Sequence, residues 1–285
     1  MSGQAGKKTH VRRPLRRSKP KSLLLTGGAS GIGAATARLA VARGHKVLIA
    51  DIDGAGAEAV ARDIGPGASA VALDIRDARQ WENALDQAWA LFGGLDVLIN
   101  NAAIARTGRA DNVILADHQL TMDVNFMGPL TGMLAALSRF KTQGRGHFVT
   151  VCSMTAFLPF PGLASYAAAK HALRAFHHGL AMEQRAAPLD FTIIYPTSTE
   201  TPMLEAEAAS DEAPMAFLST PVSAETVADI ILTAMDRKTR EVFMPPNLAR
   251  TVRLVGTNPR SLGKLIERGE EIGAERLRKR RAARG

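Results

Sequence analysis

The chain has 285 residues, 46% of them apolar, with one cysteine and a formal net charge of +9. That length and apolar content suffice for one large core. The lone Cys152 excludes an internal disulfide and fits a reducing compartment. No apolar run approaches the ~20 residues that a membrane-spanning helix needs, so a cytoplasmic location is expected.

The positive charge does not by itself indicate nucleic acid, because it sits at the ends. Residues 1–21 carry eight Lys or Arg and no acid, and residues 250–285 carry eleven basic against four acidic residues. The stretch between them is net acidic. Residues 1–20 therefore read as a basic extension outside the fold. A secretory signal is not expected, because the first apolar run is short and continues into a glycine loop; an Arg-rich organelle-targeting segment is the alternative reading.

In chain order, Leu23–Leu25 predicts a short buried strand. Thr26-Gly27-Gly28-Ala29-Ser30-Gly31-Ile32-Gly33 follows at once, then an alanine-rich helix over 34–43. Strand, glycine loop and helix in that order is the context of a dinucleotide fingerprint: glycines permit the tight turn and close backbone approach, and free N–H groups at the helix start face phosphates. The next strand, 45–50, ends in Asp51. A carboxylate there accepts hydrogen bonds from the adenosine ribose hydroxyls and repels a 2′-phosphate; a turn or helix-cap role is the alternative. Neither the loop nor Ile52 and Asp53 supplies the basic residue that a ribose phosphate needs, which favours NAD over NADP.

Further strands are predicted over 68–73, 95–99, 147–152 and 191–195, with helices over 117–141 and 163–185. Short apolar strands alternating with alanine-rich helices predict an α/β fold: a single-domain, Rossmann-type, doubly wound parallel sheet with helices on both faces. On the helix over 163–185, Tyr166 and Lys170 stand at i and i+4 and share a face. An ammonium held beside the phenol in a partly desolvated site favours the phenolate and moves its pKa toward neutrality, which would make Tyr166 a proton shuttle. An ordinary helix with a solvated lysine is the alternative for this pair alone.

Thr26-Gly27-x-x-x-Gly31-x-Gly33, Asp74, Asn100-Asn101-Ala102, Asn125, Ser153, Tyr166-x-x-x-Lys170 and Pro196 occur in that order. With them the chain resembles the short-chain dehydrogenase/reductase family, from about Lys21 to about Pro246. The resemblance implies reversible hydride transfer between a secondary alcohol and a nicotinamide cofactor, with Ser153 polarising the substrate oxygen, Tyr166 moving its proton and Lys170 holding the ribose hydroxyls. Asn125 resembles the asparagine whose backbone carbonyl holds a relay water; a buried, satisfied asparagine is the other reading. Cofactor contacts are implied for Thr26, Gly27, Ser30, Gly31, Ile32 and Gly33 of the loop, and for Asp51. Asp74 is implied at the adenine, with a strand-end cap as its alternative. Asn100 and Ala102 belong to the strand-end motif, and Tyr166, Lys170, Pro196 and Thr201 complete the set. For Thr201, a turn-forming residue before proline is the alternative. Ala103 and Thr197 stand where the family usually has glycine.

Met154, Phe157, Leu158, Phe160, Leu163 and Tyr195 are expected around these groups, with residues 203–220 as a variable lid, and such an apolar lining suits a lipophilic alcohol or ketone. The family resemblance implies a homodimer or homotetramer through the helices over 117–141 and 163–185. No metal is expected, because the histidines and the cysteine show no ligand spacing. Residues 247–285 read as a helical basic extension, with Leu262, Leu265, Ile266 and Ile272 on one face. It would pack on the body or on a neighbouring subunit, or alternatively lie on an anionic membrane surface. No nucleic-acid partner is expected, for want of interleaved aromatics or a recognisable module. Two competing readings are a dinucleotide-binding regulatory protein without turnover and a surface-binding scaffold acting through the basic tails.

Overall fold

The central aliphatic runs, buried on both faces, make parallel strands here because helices cover both sides of them. The computed structural model describes residues 19–249, 253 and 259–284. Its strands are β1 (Ser22–Thr26), β2 (Lys46–Asp51), β3 (Ala68–Ala72), β4 (Val97–Asn100), β5 (Gly146–Val151), β6 (Leu189–Tyr195), β7 (Thr199–Glu200), β8 (Val222–Ser223) and β9 (Glu241–Phe243). Seven of them form one sheet in the order β3-β2-β1-β4-β5-β6-β9, every neighbouring pair parallel. β7 and β8 pair separately.

Alternation along a strand decides which face each side chain serves. Leu23 and Leu25 of β1 pack with Ala37 and Ala40 of α1 (Gly31–Ala42) and with Val227 and Ile231 of α8 (Ala224–Arg237). Leu24 points the other way. It joins Trp81 and Leu85 of α3 (Ala78–Phe92), Met133 of α5 (Gly128–Gln143) and Leu173 of α6 (Ala164–Glu183). α2 (Gly54–Ile64) covers the first face beside α1. The polar handle of the buried Trp81 is satisfied, its Nε1 donating to the Ile75 carbonyl at 2.8 Å.

From β1 the chain builds outward to β2 and β3, then returns to place β4 on the other side of β1. The strand order therefore reverses between β1 and β4, and their carboxyl ends, Thr26 and Asn100, flank the crevice in which open α/β sheets bind ligands.

The helix expected over 117–141 is interrupted. α4 (Leu115–Met122) passes into a π-helical turn, Asp123–Met127, before α5 resumes. Such single turns widen a helix locally. This one carries Asn125, fully buried, whose amide pairs with the backbone of Ile104 in both directions: Ile104 N–H to Oδ1 at 2.8 Å and Nδ2 to the Ile104 carbonyl at 2.8 Å.

The lid segment forms α7 (Pro202–Ala208) and a 3-10 turn, Pro214–Phe217. Against it lies the long terminal helix α9 (Pro259–Ala282). The face it buries differs from the expected stripe. Leu265 is 44% exposed, whereas Gly269, Gly273 and Leu277 are buried. Leu277 packs with Leu204, Ala216 and Phe217 of the lid. Close helix approach selects small residues, which a search for apolar spacing passes over.

The basic end of α9 is engaged within the molecule. Arg280 bridges Glu200 and Glu205 at 2.6 and 2.5 Å, Arg281 meets Asp211 at 2.8 Å, and Arg284 pairs with Glu205. No described helix is long and apolar enough to cross a membrane. The expected N-terminal extension lies, but for its last two residues, outside the described residues.

Candidate active site

The glycine loop sits at the end of β1 because the chain must turn sharply there against β4. Gly27 has φ +69, and a Cβ on it would come within 2.7 Å of Ala102 Cα; a Cβ on Gly33 would meet the Gly27 carbonyl oxygen at 1.9 Å. Thr26 is buried beneath the loop, its hydroxyl accepting the N–H groups of Asn101 at 3.0 Å and Ala102 at 3.2 Å. Thr26 and Gly33 thus shape the loop without lining the cavity beyond it. The Ser30 side chain makes no cap on α1, so that helix's first-turn N–H groups have no side-chain partner. Uncapped N–H groups at a helix start suit a pyrophosphate, and these open onto the cavity through Ser30, Gly31 and Ile32.

That cavity has a volume of about 880 Å³ and runs from the loop to α6. At one end lie Asp51, Ile52, Asp74 and Arg76. Asp51 is held by two backbone donors, Ala29 N–H at 2.9 Å and Asp53 N–H at 3.0 Å, which fix its carboxylate at the end of β2. Asp74 is paired with Arg76, whose Nη2 lies 2.5 Å from Oδ2, and this hydrogen-bonded guanidinium holds the carboxyl below its usual range. Arg76 is a basic residue beside Asp51 and Asp74 that sequence reasoning missed. It stands only two positions beyond Asp74, and the bend after β3 turns it back into the cavity.

At the other end, Ser153, Tyr166 and Lys170 line the cavity together. Ser153 follows β5 and accepts the Thr155 N–H at 3.1 Å, starting a 3-10 turn. Lys170 is 1% exposed, with Nζ 5.4 Å from the centroid of the Tyr166 ring, a cation–π placement. The expected lowering of the tyrosine pKa is corrected here. Burial pushes the Tyr166 phenol up, the charge of Glu207 adds to this, and the hydrogen bond with Ser153 works the other way. Burial also pushes Lys170 down. Burial thus disfavours the charged form of both groups.

Among the other expected site residues, Ala102, Pro196 and Thr201 line the cavity. The Thr201 hydroxyl caps α7, accepting the Leu204 N–H at 3.3 Å. Asn100 does not reach the cavity: it is 3% exposed, and its amide atoms have no partner. Asn101 lines the cavity instead, its Nδ2 donating to the carbonyls of Thr26 and Gly27, both at 3.0 Å. Neighbours at a strand end point in opposite directions, and the last residue of β4 points away from the site.

Met154, Leu158, Phe160 and Leu163 face the cavity as expected. Phe157 and Tyr195 do not. They stack edge-on with centroids 4.8 Å apart inside a separate cluster, where the Tyr195 hydroxyl donates to Glu241 at 3.0 Å. Neither Ala103 nor Thr197 has a positive φ, so neither position requires glycine. Cys152 is buried, and its thiol is pushed up to about 11 by burial, which makes it a poor nucleophile. Among the described residues, no cluster of three His, Cys, Asp or Glu could hold a metal ion.

A family model described as short chain dehydrogenase matches residues 21–212. The chain belongs to that family, the nicotinamide-dependent oxidoreductases of alcohols and ketones. It is 35% identical over 185 residues to a 3-alpha-(or 20-beta)-hydroxysteroid dehydrogenase of Mycobacterium bovis, across 65% of this chain and 71% of that one. A 3-ketoacyl-(acyl-carrier-protein) reductase of Brucella melitensis complexed with NADH superposes with a TM-score of 0.71 at 29% identity, covering 80% of this chain and 96% of the other. A short chain dehydrogenase/reductase of Burkholderia phymatum in complex with NAD shares the fold with a TM-score of 0.76 at 24% identity, over 84% and 94% of the two chains.

Proposed function

We propose that the protein interconverts a lipophilic secondary alcohol and its ketone with NAD as the preferred cofactor. The observation that carries this reading is the convergence of Ser153, Tyr166 and Lys170 on one cavity with the uncapped start of α1 and Asp51. Asp51 would accept from the ribose hydroxyls and repel a 2′-phosphate. Arg76 sits nearby, but its guanidinium is already bound to Asp74. Asp74 would border the adenine.

When bound, the nicotinamide supplies the hydride acceptor or donor. Tyr166 takes the proton from the alcohol oxygen, or returns it to the ketone oxygen in the reverse direction. Ser153 donates a hydrogen bond to that oxygen as charge develops. Lys170 holds the ribose hydroxyls and stabilises the Tyr166 phenolate when it forms. The backbone carbonyl of Asn125, in the π-helical turn, would anchor a relay water to Lys170. Met154, Leu158, Phe160 and Leu163 give the substrate end its apolar walls. Steroid-like, terpenoid and acyl-chain alcohols all meet that requirement. Exposed Met127 at the end of the π-helical turn, Leu134 on α5 and Met182 on α6 support a homo-oligomer assembled through these helices.

The test is absorbance at the reduced-nicotinamide band with NAD and a panel of lipophilic secondary alcohols, run for the wild type and Tyr166→Phe. Wild-type turnover that falls by about 10²–10⁴ in the variant supports the reading. Equal activity in the two proteins would remove Tyr166 from the chemistry.

A further inference from the structure

Resting on the oxidoreductase reading above, we propose that Glu207 is the specificity-determining residue of the substrate end, and that the substrate carries a second polar donor, a hydroxyl or an ammonium, remote from its reacting carbinol.

Glu207 lies on α7, three residues beyond Leu204, and the two share the buried face of that short helix. Leu204 is held in the lid cluster with Ala216, Phe217 and Leu277, which fixes the rotation of α7 and turns Glu207 to the cavity wall. Glu207 is 9% exposed. The other acids of the lid have partners: Glu205 with Arg280 and Arg284, Asp211 with Arg281, and Glu212 with the N–H of Arg109. The Glu207 carboxyl has no hydrogen-bond or ion-pair partner among the described residues.

A buried carboxyl with no partner is costly, and a donor carried by a bound molecule would relieve that cost. Around it the wall is apolar, with Met215, Ala216 and Leu218 facing the same cavity. No cation offsets its burial, which pushes its carboxyl up to about 7. Its charge is felt at the Tyr166 phenol, and both groups line the same cavity. A carboxyl among apolar neighbours selects strongly, because a ligand lacking the matching donor leaves it unpaired.

The test compares secondary alcohols of one alicyclic skeleton: the mono-ol, the diol with a remote second hydroxyl, and the corresponding amino alcohol. Wild type, Glu207→Gln and Glu207→Leu are assayed with NAD. In the wild type the kcat/KM ratio of diol or amino alcohol to mono-ol should be about 10 or more, and in Glu207→Leu it should collapse to near 1. Glu207→Gln keeps an acceptor without the charge, so retained diol preference identifies a hydroxyl and lost amino-alcohol preference identifies an ammonium. A ratio unchanged in Glu207→Leu overturns the proposal. So does a weaker NAD dissociation constant in that variant, which would place the carboxyl on the cofactor. Loss of all turnover in Tyr166→Phe reports separately on the reaction. If no alcohol of the set is oxidised, calorimetric titration of the same three compounds into the protein–NAD mixture makes the same comparison, and equal affinities overturn the proposal.

Discussion

Gly273 on α9 faces the backbone carbonyl of Pro214 so closely that a Cβ at this position would come within 2.1 Å of the oxygen. The terminal helix therefore seats on the lid only because that position has no side chain. Gly273→Val should force α9 outward and lower stability by about 1–3 kcal/mol, as overpacking does. Because this segment lines the cavity at the proposed substrate end, KM should rise more than kcat falls. Denaturant unfolding and steady-state kinetics on the full chain check both parts.

The cofactor end makes a charge prediction. Ile52 is 69% exposed at the cavity rim beside Asp51. Asp51→Ala with Ile52→Arg removes the repulsion of a 2′-phosphate and adds a partner for it. The NADP-to-NAD ratio of kcat/KM should rise by about 10- to 100-fold, from one or two charge-assisted hydrogen bonds at roughly 1.4 kcal/mol per tenfold. Unchanged ratios would show that Asp51 does not face the ribose.

Asn125 gives a prediction about stability. Its amide satisfies both the N–H and the carbonyl of Ile104 in a buried setting. Asn125→Leu leaves the two backbone groups unpaired, at about 1–3 kcal/mol each, so equilibrium unfolding should show a loss of about 2–5 kcal/mol. A loss below about 0.5 kcal/mol would mean that the loop after β4 is held by other contacts.

Acid stability should depend on His147. It is 5% exposed with Nε2 2.8 Å from the Thr192 hydroxyl, and burial pushes its pKa down to about 4. Against an unfolded value of about 6.5, the unfolded chain binds the proton first, so stability present at pH 7 is lost as pH falls from 6.5 through 4. The contribution is about 3 kcal/mol. Melting curves from pH 7 to 4 should fall less steeply for His147→Asn than for the wild type.

Glu207 works in the opposite sense. Its folded value, raised to about 7, means that the native state holds the proton longer than the unfolded chain does. Its contribution is full below pH 4.5 and is lost as pH rises through 7. Glu207→Gln should therefore gain stability over wild type between pH 5 and 8, by an amount that grows with pH; the difference in melting temperature across that range checks the sign.

Much of the site was legible because its signals are local. Ser153 follows a strand, and Tyr166 and Lys170 are one helical turn apart, so any helix over these residues brings the pair to one face. The strand, glycine loop and helix of residues 22–42 are likewise a contiguous unit, and alternating apolar runs specify a parallel sheet with helices on both faces. Ionisation was not legible in the same way. Proximity alone predicts a lowered tyrosine pKa, but depth of burial governs the direction found.

The amino-acid sequence by itself carried the fold class, the glycine loop and the Tyr166–Lys170 pair, since these depend on contiguous runs or residues one helical turn apart, while Ser153 joined the pair only through the family resemblance. The tertiary structure decided the rest. It put Asn101 rather than Asn100 at the cavity, turned Phe157 and Tyr195 into the core, and brought Arg76 beside Asp74 at the Asp51 end of the cavity. It also seated α9 on the segment around Pro214 through Gly273 and left Glu207 buried at the cavity wall. These outcomes depend on side-chain direction and close approach between segments far apart in the chain, which packing sets and local pattern does not encode.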